Sequence, residues 1–98
     1  MNGNDTNTKG TTMTTKRLNT GCYEMTGITT LDGNAVEVRY SIWKHEEIAN
    51  TWMSETTIDG RSTGVYSDHW CKKAAVAACK RCADHGYRTV AGLGICLN

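Results

Sequence analysis

The sequence SDHWCKKAAVAACKRCADHG, residues 67–86, is typical of an amphipathic helix. Ser67 or Asp68 can accept hydrogen bonds from the free N–H groups at the helix start. Gly86 can adopt the left-handed backbone conformation that commonly follows the last helical residue. The pattern therefore predicts one long helix over residues 68–85, with a length of about 27 Å.

One face of this helix carries only small side chains. With about 100° of rotation per residue, that face collects Cys71, Ala74, Ala75, Ala78, Cys79 and Cys82. Small side chains let a helix approach a sheet closely, so we expect the large core residues to come from neighbouring strands. The expected contacts join Val38, Tyr40 and Ile42 to Ala74, Ala78 and Cys82.

Strand patterns lie on both sides of the helix in the sequence. Residues 36–43 alternate between apolar and polar side chains, and Asp32-Gly33 is a hairpin turn that joins them to a strand over residues 22–30. Residues 44–58 suit either a helix or a strand, and we favour a connection followed by a strand from about Thr51 to a turn at residues 59–60. Residues 61–66 either form a return strand or lead directly into the helix, and residues 87–97 are predicted to form one last strand. The sequence thus predicts an α+β fold: an antiparallel meander of three or four strands, one long helix packed across it and a C-terminal strand.

Length and composition favour one domain. The chain has 98 residues, with no Phe and no Pro, so three Trp and four Tyr supply the aromatic core. Residues 1–20 contain seven Thr and few apolar side chains, which predicts a disordered tail. Residues 21–98 are predicted to form a single α+β domain.

The five cysteines, an odd number, and the lack of a secretory signal pattern favour a reducing, cytoplasmic environment. No apolar run is long enough to cross a bilayer, so no membrane role is expected. Cys79 and Cys82 form a C-x-x-C motif that could suggest a zinc site with Cys71 and His85. A continuous helix separates these four side chains along its axis, so they do not converge on one metal ion. We therefore expect reduced, metal-free cysteines and no cofactor.

Catalytic patterns are weak in this sequence. His45-Glu46-Glu47 and Asp68-His69 place carboxylates beside imidazoles, but adjacent residues seldom face each other. Neither a phosphate-binding glycine loop nor a nucleophile elbow accompanies them. The sequence therefore predicts a protein that is not an enzyme.

The charges are unevenly distributed, which points to binding. Residues 21–60 carry a local net charge of −5 and residues 61–88 one of +4. The candidate binding residues lie in and just before the helix: Tyr66, Trp70, Lys72, Lys73, Lys80 and Arg81. A basic helix that begins with an aromatic residue suits either a protein partner or phosphate contacts with base stacking.

The stretch GVYSDHWCKKAAVAAC, residues 64–79, follows a turn and a strand pair, and residues 56–82 resemble the strand–helix end of a double-stranded-RNA-binding domain. The resemblance implies phosphate contacts across the major groove by Lys72 and Lys73. The chain departs from that family by lacking the preceding helix, by its serine-to-lysine spacing and by a strand after the helix.

In its overall character the chain resembles small phage-encoded inhibitors of the anti-CRISPR type: it is short, poor in catalytic motifs and rich in tryptophan. The predicted function is that of a non-catalytic accessory inhibitor that docks on a host protein or ribonucleoprotein complex, where nucleic acid is an additional contact. The alternative is a nucleic-acid-binding module of the double-stranded RNA type that uses the basic helix.

Overall fold

The structure, a computed structural model, describes residues 13–97, and for residues 64–66 it describes the backbone alone. This range contains seven strands and one helix. In chain order they are β1 (Thr14–Asn19), β2 (Cys22–Leu31), β3 (Asn34–Lys44), β4 (Trp52–Ile58), β5 (Arg61–His69), α1 (Lys72–His85), β6 (Tyr87–Val90) and β7 (Leu93–Cys96). No helix in this range is both long enough and apolar enough to cross a membrane.

All seven strands belong to one mixed sheet, in which six strands follow the order β5-β4-β3-β2-β6-β7. β1 pairs with the first half of β2, on the edge away from β3. β6 starts at the far end of that same edge, where Tyr87 lies opposite Leu31 in a parallel bridge. The sheet curls until β7 approaches β5, and Gly94 lies against the side chains of Ile58 and Thr63.

The predicted meander of three or four strands is therefore wrong: the described part of the chain is mainly β, in a larger and nearly closed sheet. Two errors account for the difference. Residues 14–19 form a strand where a disordered tail was predicted, because β2 pairs with them; residues 1–12 of that tail lie outside the described range. The predicted last strand is a hairpin, because Ala91 and Gly92 both adopt positive φ and reverse the chain.

The predicted hairpin turn at Asp32-Gly33 and the predicted turn at Asp59-Gly60 are both confirmed. Asp32-Gly33 has φ values of 53° and 84°, and Asp59-Gly60 has 53° and 79°. Positive φ at both central residues matches the right-handed twist of the flanking strands. The strands predicted around the first turn and from about residue 51 are present as β2, β3 and β4.

The helix begins four residues later than the sequence predicted. Ser67 and Asp68 lie in β5, opposite Ser54 and Met53 of β4, so strand pairing uses the backbone that would have started the helix. Cys71 is the N-cap instead, and its sulfur accepts a hydrogen bond from the backbone N–H of Ala74 at 3.4 Å. The end is as predicted: the helix stops at His85, and Gly86 follows with a φ of 87°.

The core lies between α1 and one face of the sheet, here called the inner face. The predicted strand residues Val38, Tyr40 and Ile42 are all buried there. Of the predicted small face, Ala75 and Cys79 are buried, and Ala83 is buried with them. The three helix residues expected to contact the strands, Ala74, Ala78 and Cys82, are half-buried, because the buried positions lie one residue later, about 100° further around the helix axis. The remaining core residues are Met25, Ile58 and Tyr87.

Two buried hydrogen bonds stabilise the core, one between the sheet and α1 and one between two strands of the sheet. The hydroxyl of Thr29 on β2 donates to the backbone oxygen of Ala83 at 2.6 Å. The hydroxyls of Tyr40 and Tyr87 hydrogen-bond to each other at 2.7 Å. Burial raises the pKa of both tyrosines, so both remain neutral at physiological pH.

We expect Ala75→Leu to destabilise the protein by about 1–3 kcal/mol, because the added carbons have no space between α1 and the sheet. Chemical unfolding measures this loss. Ala77→Leu is the matched control, since Ala77 is exposed on the same helix, and its effect should stay within about 0.5 kcal/mol. Equal stability of the two variants would contradict the assigned helix face.

We expect Gly86→Ala to cost more stability than Gly33→Ala. Both glycines have positive φ, but Gly86 combines it with a ψ of −179°, a region that only glycine adopts readily. A Cβ at Gly86 would also meet the hydroxyl of Thr30, whereas nothing lies within 4 Å of a Cβ at Gly33. The backbone conformation alone accounts for about 1–3 kcal/mol. Urea unfolding of both variants tests the order, and a smaller loss for Gly86→Ala would contradict it.

Candidate partner-docking site

Trp70 is the most exposed large apolar side chain in the described range, with 76% of its surface open to solvent. Its position follows from its neighbours in the chain. His69 is paired with Trp52 at the end of β5, and Cys71 caps the helix. Trp70 therefore lies in the short connection between β5 and α1. Neither element folds over its indole ring. Its exposed indole ring is therefore available for contact with a partner.

A cleft of about 460 Å³ lies beside Trp70. Its lining comes from three segments, namely the β3–β4 connection, the end of β5 and one side of α1: Asn50, Thr51, Asp68, His69, Trp70, Ala74, Ala78 and Arg81. Ala74 and Ala78 line the cleft because the helix face in the core is rotated away from them. We call Trp70, Arg81, His69 and this cleft the Trp70 surface.

His69 connects the cleft to the core. Its Nε2 atom lies 2.9 Å from the hydroxyl of Ser54, which is buried on β4. Burial lowers the pKa of His69, and the nearby Asp68 carboxylate partly opposes that effect. The imidazole therefore favours its neutral form, which limits positive charge in the cleft to Arg81.

The predicted binding residues fall into separate groups. Trp70 and Arg81 both line the cleft. Lys73 and Lys80 are exposed and lie seven residues apart on the outer side of α1. The side chain of Tyr66 lies outside the described part of the structure.

Lys72 does not belong to the outer basic face on which it was predicted. Its ammonium nitrogen lies 3.6 Å from the centroid of the Tyr23 ring, a cation–π contact on the side of α1 that faces β2. Lys72 and Lys73 are adjacent, so their side chains leave the helix about 100° apart. The lysine pair therefore does not form one surface.

The other predicted patterns serve local structure. The ring nitrogen Nδ1 of His45 accepts hydrogen bonds from the backbone N–H groups of Glu47 and Ile48 at 3.1 and 3.0 Å. This imidazole therefore stabilises the connection between β3 and β4. Cys79 is buried, and burial raises the pKa of its thiol to about 12. Within residues 13–97, no three His, Cys, Asp or Glu side chains are grouped so that they could hold a metal ion.

Sequence reasoning missed most of the cleft. Asn50 and Thr51 are separated from Ala74 by more than twenty residues, and they meet it only because β4 pairs with β5. No local pattern marks Asn50 or Thr51 as a binding residue. The positive φ of Asn50, 55°, belongs to the turn that presents it. An Asn before a Thr-rich strand was the only available signal, and it indicates a turn rather than a site.

Comparisons with known proteins find no relative for this chain. No family model, no curated protein and no solved structure matches it. The assignment of the docking site therefore depends on the geometry of the Trp70 surface alone.

We expect the pKa of His69, followed by nuclear magnetic resonance, to lie below its ordinary value of 6.5. Since the folded state then binds this proton less readily than the unfolded chain, stability is full above about pH 6.5 and falls as the pH drops through the folded pKa. His69→Gln should reduce that loss in urea unfolding. A titration midpoint at or above 6.5 would contradict the burial of the imidazole.

Proposed function

We propose that this protein is a non-catalytic binding protein, an accessory inhibitor of the anti-CRISPR type that docks on a host protein or ribonucleoprotein complex through the Trp70 surface. The observation that carries the proposal is the exposure of Trp70, 76%, beside a cleft with an arginine on its lining. Tryptophan and arginine are the residues most enriched among those that dominate binding energy at protein interfaces.

The shape of the surface supports a protein partner. The indole projects from the connection between β5 and α1, and the alanine side chains of the cleft leave room for an apolar side chain of the partner between Trp70 and Arg81. A partner that covers the indole removes a large apolar area from water. Truncation of such an anchor commonly costs 2 kcal/mol or more, that is, roughly 30-fold or more in affinity.

The charges around the cleft indicate which partner surface fits. Lys73 and Lys80 lie on the adjacent outer side of α1, and Arg81 lines the cleft itself. Asp68 is the acidic residue of the lining. The excess of positive charge favours an acidic patch on the partner, and it would accelerate association at low salt.

The same contacts favour a protein surface over naked nucleic acid. The contact between Lys72 and Tyr23 leaves Lys73, Lys80 and Arg81 as the outward cations of the helix. Three cations give a small counterion-release contribution at physiological salt.

The test is a pull-down from bacterial host lysate with tagged protein, with and without nuclease, followed by affinity measurement on the purified partner. Trp70→Ala and Arg81→Ala should each weaken binding about 30-fold or more. The matched controls are Ile28→Ala and Arg61→Ala, an exposed apolar and an exposed basic residue away from the cleft. Both controls should bind like the unchanged protein.

Two outcomes would contradict the proposal. One is a partner whose affinity is the same for Trp70→Ala and for the unchanged protein. The other is submicromolar binding of naked duplex RNA or DNA at about 0.15 M salt in a gel shift, lost when Lys73 and Lys80 are neutralised. That second result would favour the nucleic-acid-binding module.

A further inference from the structure

β1 is an edge strand with one open side. Residues 14–17 of β1 pair with residues 23–26 of β2, and no strand in residues 13–97 pairs with the other edge of β1. β5 and β7, at the two ends of the six-strand order, approach each other instead. All six side chains of β1 are exposed. The outer edge of β1 therefore presents backbone N–H and C=O groups to which a further strand can bind.

Cations lie on both faces of the sheet at this edge. Lys16 is opposite Glu24, whose carboxylate lies 3.6 Å from the Nε atom of Arg39. These side chains are on the outer face of the sheet, away from α1. Arg17 is opposite Tyr23, which packs against the core on the inner face. Since successive residues of a strand point to opposite faces, Lys16 and Arg17 place one positive charge on each side of the edge.

The surroundings of Arg17 leave its charge unneutralised. Its guanidinium group donates to the hydroxyl of Thr20 at 3.2 Å, and a hydroxyl carries no charge. The ammonium group of Lys72 lies over the ring of Tyr23, on the same face as Arg17. The inner face thus carries two cations at this edge, and on the outer face two cations flank one carboxylate. Both faces therefore favour negative charge on whatever binds here.

Leu18 marks one end of the usable edge. The register of β1 and β2 shifts between Arg17 and Asn19, so Leu18 has no partner on β2. Its side chain is exposed. Because the shift interrupts the regular ladder, residues 14–17 are the part of the edge that another strand can extend. Leu18 adds an apolar contact beyond them.

The charges disfavour a second copy of this chain as the occupant. Antiparallel pairing of β1 with its own copy, about a two-fold axis, places Lys16 and Arg17 of one copy against the same two residues of the other. Like charges directly opposite each other in a sheet are destabilising. Lysine on an edge strand is a common protection against such self-pairing. An acidic strand meets no such repulsion.

We propose that the open edge of β1 binds an extended acidic segment of a partner protein by strand addition. Backbone hydrogen bonds to residues 14–17 hold the segment, and two adjacent carboxylate side chains, one on each face, lie opposite Lys16 and Arg17. An apolar residue of the segment contacts Leu18. This edge is a second binding site, separate from the Trp70 surface, because other elements line that cleft.

The probe is a short, end-blocked, fluorescein-labelled peptide in which two adjacent glutamates lie between valine and threonine residues. Fluorescence anisotropy should show saturable binding to the full chain, with an affinity that falls as salt is added. The same peptide with two glutamines should bind about tenfold more weakly, because two exposed ion pairs are lost. Amide hydrogen exchange should show that the bound peptide protects alternate residues of β1, since only those N–H groups point to the open edge.

Two N-methylated peptides separate strand addition from simple charge attraction. Methyl groups on alternate backbone nitrogens, in one phase or in the other, leave both glutamate charges unchanged. The phase whose nitrogens face β1 should abolish binding, because it removes the N–H donors of the ladder. The phase whose nitrogens face solvent should bind like the unmethylated peptide.

Side-chain variants locate the site. Lys16→Ala/Arg17→Ala should weaken binding of the glutamate peptide about tenfold. Arg61→Ala/Arg88→Ala is the matched control, since it removes two exposed charges from β5 and β6, and it should bind like the unchanged protein. The two N-methylated peptides, measured on the unchanged protein, decide the point even where a variant folds poorly.

Equal binding of the two N-methylated peptides would overturn the proposal. So would equal affinity for the glutamate and glutamine peptides, a lack of saturable binding, or exchange protection confined to residues outside β1. Self-association of the protein with protection at β1 would replace the acidic segment by a second copy.

Discussion

Three small side chains, Ala75, Cys79 and Ala83, let α1 lie directly on the inner face of the sheet. This close approach is needed because the chain contains no phenylalanine, and its core must be closed by medium-sized strand residues. The largest fully buried side chain, Tyr40, extends from β3 beneath the helix. A larger residue at any of the three helix positions would separate the layers and expose the side chains between them to water.

The C-terminal part of the fold depends on the same packing of α1 against the inner face of the sheet. Gly86 ends the helix in a conformation that reverses the chain against Thr30, and Tyr87 then enters the core. The hydroxyls of Tyr87 and Tyr40 hydrogen-bond to each other, so each buried hydroxyl has a hydrogen-bond partner. β6 and β7 are thereby added to the sheet beyond the end of β2.

The rotation of α1 also determines its surface chemistry. With Ala75 and Ala83 facing the core, Arg81 turns toward the cleft beside Trp70, and Lys80 points outward. Lys72 turns the other way, onto the ring of Tyr23. One helix thus has a side that packs on the sheet, a side that lines the cleft and a solvated side, with the exposed Trp70 just before its start.

The sequence by itself determined the features that depend on local chemistry. These are the glycine turns at residues 32–33 and 59–60, the alternation of β3, the end of the helix at Gly86 and the small-residue character of α1. Sequence reasoning also named Trp70 and Arg81, since exposed aromatic and cationic residues near a helix start need no distant partner to be recognised.

Only the tertiary structure decided the start of the helix, the number of strands and the shape of the cleft. Ser67 and Asp68 favour a helix cap locally, but pairing with β4 satisfies more of their backbone groups than a cap would. The cleft joins segments that are distant in the sequence. Its shape depends on strand register and helix rotation, and a one-residue error in either moves every side chain of that element to another face.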